Sequence, residues 1–164
     1  MNRKIIIIIS FLAILTITLT YIIIKRPTSI VLYVDPKTAR GTVGQDFTIN
    51  INISNVVDLY GWQLKLRWNT TILGAVNATE GTFLRSGGNT YFHQMSNATG
   101  YLTLDCTLLG NISGVGGNGA LATIQFHVKE SGYCDLDIYD TMLINSSEQL
   151  ITHTVIDGHF STIP

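Results

Sequence analysis

Residues 46–54 read Asp-Phe-Thr-Ile-Asn-Ile-Asn-Ile-Ser. In an extended chain Phe47, Ile49, Ile51 and Ile53 fall on one side and Thr48, Asn50, Asn52 and Ser54 on the other, the period of a half-buried strand. The alternation recurs along the chain. Tyr60, Trp62, Leu64, Leu66 and Trp68 oppose Gly61, Gln63, Lys65 and Arg67, while Leu102, Leu104, Cys106 and Leu108 oppose Tyr101, Thr103, Asp105 and Thr107. Ala122, Ile124, Phe126 and Val128 oppose Thr123, Gln125 and His127, and Cys134, Leu136 and Ile138 oppose Asp135, Asp137 and Tyr139. Extended runs at Ile30–Val34, Leu73–Thr79, Thr90–Met95 and Val155–Ile163 bring the expected strands to nine. Turn signals separate them at Val43–Asp46, Ser86–Asn89, Asn97–Gly100 and the glycine-rich Gly114–Gly119, which reads as a flexible connection. No segment after Arg26 has a helical period. Many short strands with one apolar face predict an all-β antiparallel sandwich whose two sheets bury facing side chains.

The 164 residues suffice for one domain. Charged residues make up only 13% against 46% hydrophobic, where soluble globular proteins carry about 25% charged. That composition excludes a disordered chain. Part of the apolar excess sits in Ile5–Ile24, twenty residues without charge, Gly or Pro, flanked by Arg3, Lys4, Lys25 and Arg26. As a helix this run spans about 30 Å of hydrocarbon. A cleavable signal has an apolar centre of roughly 7–15 residues and a small-residue cleavage site, so an uncleaved single-pass anchor is expected, with secretion after cleavage beyond Arg26 as the alternative. The predicted division is a membrane segment over 1–26 and a β domain over 27–164. From Pro27 onward six Lys and Arg stand against eleven Asp and Glu, a net of −5. An acidic body with no basic stripe argues against nucleic-acid binding.

Asn-x-Ser/Thr occurs at Asn52, Asn69, Asn77, Asn97, Asn111 and Asn145, six of eleven asparagines. With Ser and Thr at about 18% of the chain, chance supplies roughly two such sites, so the excess suggests a glycosylated body outside the cell membrane. Cys106 and Cys134 are compatible with one disulfide in an oxidising compartment.

The succession Val43-Gly-Gln-Asp-Phe-Thr48, Asn55-Val56, Leu59-Tyr-Gly-Trp62, Leu64-Lys-Leu-Arg-Trp-Asn69 and Ile72-Leu73 resembles the first half of a cohesin domain. Glu80-Gly-Thr-Phe-Leu84 and Gly119-Ala-Leu-Ala-Thr-Ile-Gln-Phe-His-Val128 are similar to two runs of its second half. The resemblance covers Ile30 to Ile163. Where the family often has Tyr-Asp-Pro, this chain has Trp68-Asn69-Thr70, which creates a sequon. The resemblance implies a nine-stranded jelly roll and a protein partner of dockerin type, calcium-loaded. The family's order of strands five, six, three and eight would place Cys106 and Cys134 two strand spacings apart, about 9.5 Å. A disulfide needs Cα atoms within roughly 7 Å, so the resemblance argues against the bond.

The same sheet is the family's partner-binding surface. By alternation it would present Gln63, Lys65 and Arg67 from strand three, Thr103, Asp105 and Thr107 from strand six, and Asp135, Asp137 and Tyr139 from strand eight. Strand five contributes either Tyr91 and His93 or Phe92 and Gln94. Two other readings stand beside docking. Trp62, Trp68, Tyr91 and Tyr101 suggest a carbohydrate-binding module for polysaccharide, and an apolar N-terminal helix before a β domain suits a structural cell-surface subunit. Catalysis, cofactors and metal are not expected. Asp135-x-Asp137 lies on a strand and lacks the glycine and terminal glutamate of a helical calcium loop. His93, His127, His153 and His159 lack zinc spacing, no nucleophile elbow is present, and Gly114–Gly119 lacks the lysine of a phosphate loop.

Overall fold

The computed structural model describes residues 29–96 and 100–163. The expected anchor at 5–24 and the Asn97 sequon lie outside the described residues. Among the described residues no helix is long and apolar enough to cross a membrane.

In chain order the elements are β1 (Val31–Asp35), β2 (Thr38–Gly41), β3 (Asp46–Arg67), β4 (Leu73–Glu80), α1 (Thr82–Arg85), β5 (Thr90–Ser96), β6 (Tyr101–Leu108), β7 (Val115–Val128), β8 (Tyr133–Asn145), β9 (Thr154–Ile156) and β10 (Gly158–Thr162). One layer runs β9-β1-β3-β7-β4. The other runs β2-β10-β8-β3-β6-β5. β3 belongs to both, since its first half pairs β1 and β7 and its second half pairs β6 and β8.

The passage between layers is built at Asn55 and Asp58, both at positive φ (59° and 58°). Asn and Asp tolerate this left-handed region better than other side chains, and β7 shifts register on either side of Val56 to follow the bend. Asp58 also ties the corner down. Its Oδ1 accepts the Gly114 N–H at 2.7 Å and its Oδ2 accepts the Ser146 hydroxyl at 2.7 Å.

The apolar sets meet between the layers. Ile49, Ile51, Ile53 and Phe126 from one sheet and Leu64, Leu66, Leu104, Leu136 and Phe160 from the other are fully buried, each large side chain worth about 1.5–3 kcal/mol of transfer free energy. Phe47 stacks on Phe160 with ring centroids 4.7 Å apart, and Trp68 meets Phe126 edge-on at 5.1 Å. The Trp68 indole N–H donates to the Leu73 carbonyl at 3.1 Å, so this tryptophan is buried with its polar atom satisfied.

Four expectations are corrected. Among the described residues there are ten strands, not nine: the two predicted over 46–54 and 60–68 are one continuous β3, β2 lies beyond the predicted first strand, and the last divides at Asp157. The sandwich is not wholly antiparallel, because β1 pairs β9 and β10 pairs β2 in parallel. A single helical turn, α1, follows Gly81 and buries Phe83 and Leu84. The glycine run is mostly strand: β7 begins at Val115, where Gly119 lies under the Phe83 ring and leaves 2.7 Å for a Cβ.

Candidate docking face

The outer face of the β2-β10-β8-β3-β6-β5 sheet brings together the residues expected there. Register aligns His93, Asp105 and Gln63 in one row across β5, β6 and β3, and Met95, Thr103, Lys65 and Tyr139 in the next, which reaches β8. Arg67 follows, between Tyr101 and Asp137. The ambiguity in β5 resolves to Tyr91 and His93 outward, while Phe92 turns inward beside Trp62, ring centroids 6.2 Å apart. Thr103 departs from expectation. It stands on this face but is only 8% exposed, with its hydroxyl unpartnered, so it contributes little surface to a partner.

The charges here are largely matched to each other. Lys65 donates to Asp140 at 2.6 Å, and Arg67 pairs with Asp137 while lying over the Tyr139 ring, 5.2 Å from its centroid. The carboxylate partners raise the Lys65 and Arg67 pKa values above their ordinary range. Asp105 meets His93 Nδ1 at 3.0 Å, and Asp135 meets His159 Nδ1 at 2.8 Å and the Tyr133 hydroxyl at 2.9 Å. The His159 and Tyr133 contacts hold the Asp135 carboxyl below the usual carboxylate range. On β8, β3, β6 and β5 four carboxylates stand against Lys65 and Arg67, and Arg40 on the edge strand β2 is a third cation, so carboxylates outnumber the lysine and arginine side chains on this face.

Sequence reasoning missed several residues of this surface. Asp140 sits at positive φ (49°) where β8 slips register against β3, and the slip aims it at Lys65. Beyond the slip Met142 and Ile144 come to the surface beside Gly61 and line a depression of about 170 Å³ with Gln63, Asp105 and Thr107. Gly61 keeps it open: a Cβ there would lie 3.1 Å from Ile144 and 3.3 Å from the Thr107 hydroxyl. Met95, Tyr133 and His159 complete the set. Their alternation with inward residues was the available signal for Met95 and His159; for Met142 and Ile144 the bulge erases it.

The opposite outer face is chemically different. Thr48, Asn50 and Asn52 of β3 and Thr123 and Gln125 of β7 make it mainly amide and hydroxyl, with Thr123 donating to Asn50 at 2.7 Å. Its carboxylates are Asp35, which accepts from Asn52, and Asp46, which meets Gln125 and His127. Cys106 and Cys134 are both free and buried. Cys106 pairs with Trp62, whereas Cys134 lies beyond the residue opposite Arg67, toward the far end of the sheet. Burial and the nearby Glu80 carboxylate push the Cys106 thiol up to about 12.

The cohesin domain family profile matches residues 32–161. A non-cellulosomal cohesin from the hyperthermophilic archaeon Archaeoglobus fulgidus is similar at a TM-score of 0.72 and 15% identity, over 84% of this chain and 93% of that one. The sixth cohesin of scaffoldin B from Acetivibrio cellulolyticus, solved with a mutant dockerin, reaches 0.71 at 15% identity over 83% and 100%. The second type II cohesin module of an adaptor scaffoldin from the same organism reaches 0.69 at 19% identity over 85% and 92%. A search of curated protein sequences found no match. The structural likeness establishes the fold, and the profile match over most of its length establishes that the chain belongs to the cohesin domain family.

Proposed function

We propose that this cohesin domain is a non-catalytic docking module that binds a calcium-loaded dockerin-type protein through the outer face of β8, β3, β6 and β5. The observation that carries the reading is the asymmetry between the two outer faces. Tyr91, Met95, Tyr133 and Met142, all 42–58% exposed, stand on one of them, and Tyr, Met and Arg are the residue types that protein interfaces concentrate. A partner would seat an aliphatic side chain in the depression at Gly61, gaining about 0.8 kcal/mol per buried methylene. Cationic groups on the partner would meet the excess carboxylates Asp105 and Asp135. Residues 5–24 would tether the domain to the membrane in a single pass with the β domain outside. The uncharged run and the abundant sequons support that placement.

Full-length protein in detergent, immobilised and presented with calcium-loaded dockerin modules from the same proteome, tests the docking. At least one module should be retained, at least tenfold more weakly by Arg67→Glu or Met142→Asp and unchanged by Gln125→Glu on the opposite face. Retention of none, or equal loss with Gln125→Glu, overturns the reading. Resistance of the full chain to alkaline carbonate extraction checks the anchor separately.

A further inference from the structure

The sequons are not scattered over the domain. Asn52 stands on the outer face of the β9-β1-β3-β7-β4 sheet, and Asn77 on β4 at the edge of that sheet. Asn69 lies between β3 and β4, Asn111 between β6 and β7, and Asn145 closes β8. None of these five stands at an outward position on a strand of the face that carries Lys65, Arg67, Asp105 and Asp137, but Asn69 borders it, lining a depression with Arg67, Tyr133, Asp135 and Asp137.

Their surroundings divide them further. Asn69, Asn77 and Asn111 are exposed, and so are the hydroxyl residues two positions on, Thr71, Thr79 and Ser113. Asn69 accepts the Thr71 N–H through its Oδ1 at 2.9 Å, a bond that does not engage its Nδ2. Asn52 and Asn145 are half-buried and their amide nitrogens are engaged: Asn52 Nδ2 donates to Asp35 at 3.2 Å, and Asn145 Nδ2 donates to Gln149 at 3.3 Å. The Asn145 oxygen also accepts the backbone N–H groups of Ser147 and Gln149.

A separate observation points to the same places. Val76, 54% exposed, precedes Asn77 on an edge strand, and Leu109 and Ile112, 50% and 37% exposed, flank Asn111. Exposed apolar groups beside an unpaired strand edge invite association with other chains. A hydrated oligosaccharide at Asn77 and Asn111 would cover them.

We infer that Asn69, Asn77 and Asn111 carry N-linked oligosaccharide, that Asn52 and Asn145 do not, and that of the three only the sugar at Asn69 borders the charged and aromatic face. In the transfer the asparagine Nδ2 attacks C1 of an oligosaccharide held on a lipid phosphate. The N–C1 bond forms as the C1–O bond to phosphate breaks; the lipid phosphate leaves with the electron pair, and the amide proton passes to a base of the transferring enzyme. Occupancy is independent of docking, although the sugar at Asn69 would border the face proposed to dock.

Glycopeptide mass mapping of the full chain purified from its native host tests the assignment. Oligosaccharide mass at Asn69, Asn77 and Asn111, with Asn52 and Asn145 unmodified, is the expected result. Any other distribution among these five overturns it. Asn77→Gln and Asn111→Gln should each remove one oligosaccharide mass and raise the aggregated fraction in sizing at least twofold; retention of the mass, or an unchanged fraction in both variants, contradicts the assignment. Because the map is read without any dockerin, its failure and the failure of docking are separate results.

Discussion

At the scale of single residues, Asp58 joins three segments that are distant in sequence. Its left-handed backbone turns β3 from one sheet into the other, and its carboxylate accepts from Gly114 and Ser146. Those bonds, the Ser146 hydroxyl first, hold its carboxyl below the ordinary 3.8. A carboxyl with a depressed folded-state pKa contributes stability above its unfolded value and loses it as pH falls through the folded value. Stability at pH 7 should therefore drop in Asp58→Ala, and the acid-induced loss below about pH 3.8 should be shallower in the variant than in the parent. Urea titrations at pH 7 and pH 3 would show both; parallel pH profiles would refute the assignment. The two thiols give a second residue-level expectation. A Cys106 pKa of about 12 leaves roughly one thiolate in ten thousand at pH 8. Native protein should resist alkylation there, and denatured protein without reductant should take up two alkyl groups; a chain that takes none until reduced would be disulfide-bonded.

At the scale of elements, α1 depends on its glycine. A Cβ on Gly81 would lie 2.0 Å from the Ala120 carbonyl oxygen, a contact that only backbone movement relieves. Gly81→Ala should destabilise by about 3 kcal/mol, a magnitude typical of overpacking, seen as a lowered urea midpoint at unchanged slope. The strands themselves were legible because one side of each is apolar: Phe47 to Ile53, Trp62 to Trp68 and Leu102 to Leu108 bury the residues that alternation selects. What escaped was decided by non-local contacts. Val115–Gly119 has too few side chains to show a period, and it is strand because β3 lies alongside it. Asn55 and Asp58 look like turn residues in sequence, yet here they bend a strand without ending it. In the site, Asp140, Met142 and Ile144 were hidden by the β8 slip, which inverts the alternation after Tyr139.

At the scale of the whole molecule, the two sheets present unlike exteriors, one built mainly of amides and hydroxyls and one carrying Lys65 and Arg67 with exposed Tyr and Met. Both tryptophans belong to neither: Trp62 is 4% and Trp68 8% exposed, which removes them as platforms for sugar rings. Native tryptophan emission should be blue-shifted, resist aqueous quenchers, and stay unmoved by soluble polysaccharide. A shift on adding polysaccharide would favour the carbohydrate reading. Docking on an acidic face should weaken as salt rises, since exposed charges separated by more than about 8 Å are screened at physiological ionic strength; salt-independent affinity would assign recognition to the apolar depression alone.

β1 is held along both edges, antiparallel to β3 over Val31–Asp35 and parallel to β9 over Val31–Tyr33. Both ladders run crosswise to it, so a pull along the strand from its amino-terminal end strains the rungs together instead of peeling them singly. A partner gripping the face formed by β8, β6 and the second half of β3 delivers its tension into a strand whose first half is the one clasping β1. Mechanical load would then cross the domain along one covalent strand and one sheared ladder, bypassing the loops.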